Sequence, residues 1–169
     1  CKYLIVVINR INMTKKIQTL LLLFIFSITS MQAASRYWVS SASSNWNNTT
    51  NWSTTNGGAG GASVPLATDD IFFNNNGLGN CLIDIATTIN SINITATYSG
   101  VIDINGNTFN IIGTINNEFA GGTINDTPGT SSLTINSTAR TRFLGTTIGA
   151  IVNASSARLY LNGSIFNAA

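Results

Sequence analysis

The feature that most constrains the fold is a short pattern of apolar, polar, apolar and Asn residues. It recurs as Ile102-Asp103-Ile104-Asn105, Leu133-Thr134-Ile135-Asn136 and Leu159-Tyr160-Leu161-Asn162. Alternation with period two puts Ile102 and Ile104 on one face of an extended segment and Asp103 on the other, which describes a half-buried strand. The first and third copies extend further: Ile104-Asn105-Gly106-Asn107-Thr108-Phe109-Asn110 matches Leu161-Asn162-Gly163-Ser164-Ile165-Phe166-Asn167 at Asn, Gly, Phe and Asn. Other short strands are readable at Cys81 to Ile85, Ser91 to Thr95, Phe109 to Ile112 and Arg140 to Leu144, and nothing after Ala34 has helical spacing.

Strands this short, broken by Gly and Asn, fit two architectures. The three copies begin 31 and 26 residues apart, a spacing that reads as stacked rungs, each unable to bury its apolar face alone. The expected fold is therefore all-β, a right-handed parallel β-helix, with Asn105, Asn136 and Asn162 stacked as an amide ladder. The alternative is an antiparallel β-sandwich in which Asn-Gly marks type I′ hairpin turns.

Residues 13–34 have a different character. Met13 is followed by Lys15 and Lys16, then by an apolar run from Leu20 to Phe26 and the small-residue exit Ala33-Ala34, the three parts of a secretory signal peptide. A membrane span needs about 20 apolar residues, and Ser27, Thr29 and Ser30 interrupt this run before that length. Residues 1–12 precede Met13 and read as upstream translation outside the native start. The expectation is a product that is secreted or displayed at the cell surface, with no stable membrane insertion after signal cleavage.

Beyond Ala34, residues 35–66 form an aromatic, polar and then glycine-rich region expected to act as an N-terminal cap, and residues 67–169 carry the rungs. This part has four arginines against six acids, so the basic balance of the full chain resides in residues 1–34, at Lys2, Arg10, Lys15 and Lys16. No cluster of Lys and Arg remains there that could track phosphates or an anionic membrane surface, which argues against nucleic-acid partners. Cys81 is alone after Ala34, so no disulfide within this part of the chain can form, and stability must come from burial and backbone hydrogen bonds.

At Arg36-Tyr37-Trp38-Val39, Asn45-Trp46, Asn51-Trp52-Ser53-Thr54, the run Gly57 to Pro65 and Asp69-Asp70-Ile71-Phe72-Phe73-Asn74, the chain resembles the N-terminal regions of large secreted surface proteins of Bacteroidetes-type bacteria. The resemblance implies an adhesin-like β-helical chain exported in association with type IX secretion. Such proteins carry a C-terminal sorting domain, and none follows the last Asn-Gly-x-x-Phe-Asn unit here, so the chain is expected to be a piece of a longer protein.

Histidine is absent, which removes the commonest general base and a common metal ligand. No nucleophile elbow, phosphate loop or zinc-type cysteine pair is present. Asp69 and Asp70 stand before Ile71-Phe72-Phe73, where a carboxylate can accept backbone N–H bonds at the turn into the first rung. A calcium site using Asp70 with Asn74 to Asn76 is the sharper alternative. Tyr37, Trp38, Trp46 and Trp52 are expected either to plug the end of the helix or to stack on sugar rings. With no catalytic, cofactor or metal residues assigned, the expected function is a structural or adhesive extracellular module contacting glycans or cell-surface components. The alternative is the N-terminal part of a carbohydrate-active β-helix enzyme, a polysaccharide lyase or hydrolase whose catalytic rungs lie elsewhere.

Overall fold

The computed structural model describes residues 13–18, 33–154 and 158–166, within two compact units, Cys1–Gln32 and Ala33–Ala169. In the first unit, residues 13–18 are helical. The upstream segment 1–12 and most of the signal-peptide assignment lie outside the described residues. No helix among the described residues is long and apolar enough to cross a membrane.

The second unit is a β-solenoid. It opens with β1 (Ser35–Trp38) and β2 (Ser44–Asn45), and a 3-10 turn at Thr49–Asn51 leads to β3 (Trp52–Ser53). Four turns of three strands follow. They are β4 (Asp70–Phe73), β5 (Cys81–Leu82) and β6 (Thr87–Ile89), then β7 (Ser91–Ile94), β8 (Val101–Asp103) and β9 (Phe109–Ile111). The next two are β10 (Asn117–Phe119), β11 (Thr123–Asn125) and β12 (Ser132–Ile135), then β13 (Arg140–Phe143), β14 (Thr147–Ile148) and β15 (Ile151–Ala154). β16 (Arg158–Leu161) and β17 (Ile165–Phe166) begin another.

Every third strand joins the same sheet. The first sheet runs β16-β13-β10-β7-β4-β1-β3, the second β17-β14-β11-β8-β5-β2 and the third β15-β12-β9-β6. All neighbours are parallel except β3, which lies antiparallel on β1 with Trp38 opposite Trp52. The parallel ladders rule out the β-sandwich. They also place a rung inside the stretch read as cap, because β1 and β2 already pair in parallel with β4 and β5.

In-register pairing makes columns of like residues. Phe73, Ile94, Phe119, Phe143 and Leu161 share a column of the first sheet. Cys81, Ile102, Ile124 and Ile148 share one in the second, and Ile89, Ile111, Ile135 and Ala154 one in the third. Apart from the outermost Leu161 and Ala154, these side chains are buried. Each fully buried aliphatic or aromatic side chain contributes about 1.5–3 kcal/mol. Phe119 and Phe143 stack at 4.7 Å with planes 14° apart, which is the strand spacing itself.

The asparagine ladder is not formed. Ile102 pairs with Cys81 and Ile124 in the second sheet, Leu133 with Phe109 and Val152 in the third, and Leu159 with Thr141 in the first. Asn105, Asn136 and Asn162 therefore follow strands on three different sides of the coil. The physical reason is that one turn contains three similar strand-and-corner units, so local self-similarity marks sides as well as turns. True inter-turn spacings are shorter than the repeat suggests: 21 residues separate Asp70 from Ser91 and 24 separate Asn117 from Thr141.

The Asn-Gly signal does mark a turn. Asn105 and Gly106 have φ of 53° and 72°, and Asn107 N donates to Ile104 O at 3.0 Å, as in a type I′ turn. That turn forms a corner between two sheets of the coil instead of a hairpin.

Candidate functional site

The period-two alternation of β1 separates the aromatic cluster into an inside and an outside. Trp38, Trp46 and Trp52 are fully buried. Trp52 meets Trp46 edge-on at 4.7 Å and Trp38 at 5.2 Å, and Trp38 packs on Phe73 at 5.7 Å. Two indole N–H groups are bonded internally, Trp38 Nε1 to Gly79 O at 3.0 Å and Trp52 Nε1 to Trp46 O at 2.8 Å. No indole face is left for a sugar ring. Tyr37 points outward, half-buried, and stacks on Phe72 with centroids 4.7 Å apart.

The glycine-rich segment completes the cover. Gly61 N and Ala62 N donate to Thr49 O and Trp52 O at 2.9 and 3.0 Å. A Cβ on Gly60 would stand 1.8 Å from the Thr50 carbonyl oxygen, so this approach requires glycine.

The acids after Ala34 act as brackets. Asp69 accepts from Leu66 N at 3.0 Å and Ala34 N at 3.3 Å, with Arg36 Nε at 3.7 Å. Asp70 Oδ1 accepts from Asn90 Nδ2 and Ser91 Oγ, each at 2.7 Å, on the next turn. Asp84 holds Asn47 N and Asn45 Nδ2, both at 2.9 Å. Asp103 holds Asn105 N and Thr127 N, and Asp126 holds Gly106 N and Ser131 N. Glu118 pairs with Arg142 at 2.9 Å. Each carboxylate thus pins a neighbouring turn or closes a corner, the local use of Asp that competes with regular ladders.

The residues considered for calcium are divided between the two ends of β4: Asp70 at its start is engaged as described, while Asn74 Nδ2 at its end donates to Asn56 Oδ1 at 2.8 Å. Among the described residues, no group of three His, Cys, Asp or Glu side chains is placed to hold a metal ion. Cys81 is fully buried, and burial, reinforced by the Asp84 charge, pushes its thiol well above the ordinary value. A thiol held neutral in this way is a poor nucleophile.

A shallow depression of about 330 Å³ lies along the second sheet, lined by Ser43, Ser44, Asn45, Asn80, Cys81, Leu82, Val101 and Asp103. Its polar groups can exchange hydrogen bonds with hydroxyls. Rows of the same type run outside the third sheet, where Thr88, Asn110, Thr134 and Asn153 lie opposite one another.

Two features escape a reading of single strands. Asn117 and Thr141 are fully buried in the column that holds Ile71 and Ile92. There, Asn117 Oδ1 accepts from Ile92 N at 3.0 Å while its Nδ2 donates to Thr141 Oγ1 at 3.1 Å. The second feature is the outward face of β13 and β16, where Arg140, Arg142, Arg158 and Tyr160 converge. Aligning Arg140-Thr141-Arg142-Phe143 with Arg158-Leu159-Tyr160-Leu161 would have exposed it.

No protein-family model matches the chain, and no curated protein or solved structure matches it either.

Proposed function

We propose that the chain is a structural and adhesive β-solenoid module of an exported surface protein, holding rows of polar side chains against glycans or other cell-surface components. The observation that carries this reading is the commitment of its carboxylates. All six acids after Ala34 are engaged by backbone N–H groups, side-chain amides, a hydroxyl or an arginine, in bonds that mostly link one turn to another. General acid-base work needs a carboxyl group free to exchange a proton with substrate, and these groups are spent on shape.

A rigid coil of this kind presents Asn, Thr and Ser side chains at the strand spacing of about 4.8 Å. Single contacts of this type are weak, and regular repetition along a rod turns them into useful retention. A signal peptide at residues 13–34 and the resemblance of residues 36–74 to secreted surface proteins support the same reading.

The test is retention of the full chain on a panel of immobilised polysaccharides, with the eluate assayed for new reducing ends and for unsaturated sugar products. Retention of one or more polymers without cleavage is expected. Either product appearing in proportion to protein would overturn the proposal in favour of a hydrolase or lyase.

A further inference from the structure

The outward surface of the first sheet changes character along the coil. Tyr37 and Phe72 stack at its beginning, Asn93 follows on β7, and Glu118, Arg140, Arg142, Arg158 and Tyr160 occupy β10, β13 and β16. Three of the four arginines after Ala34 thus lie within two adjacent strands. The fourth, Arg36, is at the opposite end, bonded to Ser63 and close to Asp69.

Register sets the arrangement. Arg140 stands opposite Arg158, and Arg142 stands opposite Glu118 on one side and Tyr160 on the other. Strands are about 4.8 Å apart and alternate residues about 6.6 Å apart, so the four side chains of β13 and β16 mark the corners of a small rectangle. Glu118 neutralises Arg142. Among the described residues, neither Arg140 nor Arg158 has an ion-pair partner, and both are exposed. Like charges directly opposite each other on a sheet destabilise it, and the pair is relieved when an anion lies between them.

We propose that this face binds the sulfate or carboxylate groups of an acidic polysaccharide. The proposal rests on the adhesive reading above and names the chemical class of glycan. A guanidinium receives such an oxyanion through two parallel hydrogen bonds, and two side by side suit one charged group or two on successive sugars. Tyr160, half exposed at the third corner, supplies a ring face for the sugar's C–H surface. Farther along the sheet, Asn93 on β7, beside Glu118, offers an amide group suited to uncharged sugar positions. Nucleic acid is disfavoured because phosphate tracking uses a longer run of cations than this pair.

The experiment compares the full chain with its R140Q/R158Q variant on a sulfated galactan, a polyuronate, a neutral glucan and single-stranded RNA at low ionic strength, with thermal unfolding measured alongside. The chain is expected to bind at least one acidic polymer about tenfold or more tighter than the glucan, and the variant to lose that preference. Because the variant removes a repulsive pair, it is expected to unfold at the same temperature or higher, so weaker binding would not reflect unfolding. The sulfated and uronate arms identify the anion. Equal binding of acidic and neutral polymers, undiminished acidic binding by the variant, or RNA binding as tight as the best polysaccharide would each overturn the inference. Retention of the neutral glucan alone would overturn it while leaving the adhesive reading intact, whereas no retention on any polysaccharide would remove both.

Discussion

Truncating Trp52 to alanine removes the centre of the aromatic cover, and the structure allows the cost to be worked through. The indole is fully buried and makes edge contacts with Trp46 at 4.7 Å, Trp38 at 5.2 Å and Phe73 at 6.0 Å. Trp→Ala changes in cores cost about 3–5 kcal/mol. The lost Nε1 donor also leaves the Trp46 carbonyl without its 2.8 Å bond, which places Trp52→Ala in the upper half of that range, about 4–5 kcal/mol. At roughly 3–4 °C per kcal/mol for a domain of this size, the unfolding temperature should fall by about 12–20 °C. Tyr37→Ala is the internal control, because its ring stacks on Phe72 outside the coil and its loss should cost only about 1 kcal/mol. Circular dichroism melts of both variants, with hydrogen exchange read at β4 and β13, provide the assay. Stacked repeats pass instability mainly to neighbours, so protection should fall first at β4. A fall below about 3 °C for Trp52→Ala, or equal losses for the two variants, would refute the inside-outside assignment of this cluster.

Two further outcomes follow from buried polar groups. Asn117→Ala strands the Ile92 N–H and the Thr141 hydroxyl inside the coil and should cost about 2–4 kcal/mol in urea unfolding; a loss below about 0.5 kcal/mol would show that neither bond matters. Cys81 should resist thiol reagents in the folded chain and react at once on unfolding. Because burial raises its folded value above the unfolded one near 8.5, its contribution to stability is complete below about pH 8.5 and is lost as the pH climbs towards the folded value. Between pH 7 and 10, Cys81→Ala should therefore lose less stability than the parent chain, and parallel pH profiles would contradict this.

The extent of the sequence's authority is clearest at individual residues. Period two was visible at Ile102-Asp103-Ile104, and the starts expected for the strands at Cys81, Ser91, Phe109 and Arg140 coincide with those of β5, β7, β9 and β13. Pairing was not visible. The matched segments at 102, 133 and 159 sit on different sides of the coil because the corners that follow them are all short polar turns, left-handed at Asn105, Gly106 and Gly163 but not after Asn136. Asn117 gives no local sign of burial, since its partners Ile92 and Thr141 are 25 and 24 residues away.

By itself, then, the sequence determined the strand character and the positions of many breaks, because alternation and turn chemistry act over a few neighbouring residues, and its repeat favoured a solenoid over a sandwich without excluding the latter. Which strands stack, which aromatics lie inside, and which charges meet were decided by the coil. Those properties depend on how many residues each corner consumes before the chain returns above itself, and a change of one residue would turn a strand's two faces over. The acids as brackets, the buried Asn117–Thr141 pair and the Arg140–Arg158 juxtaposition all follow from that return.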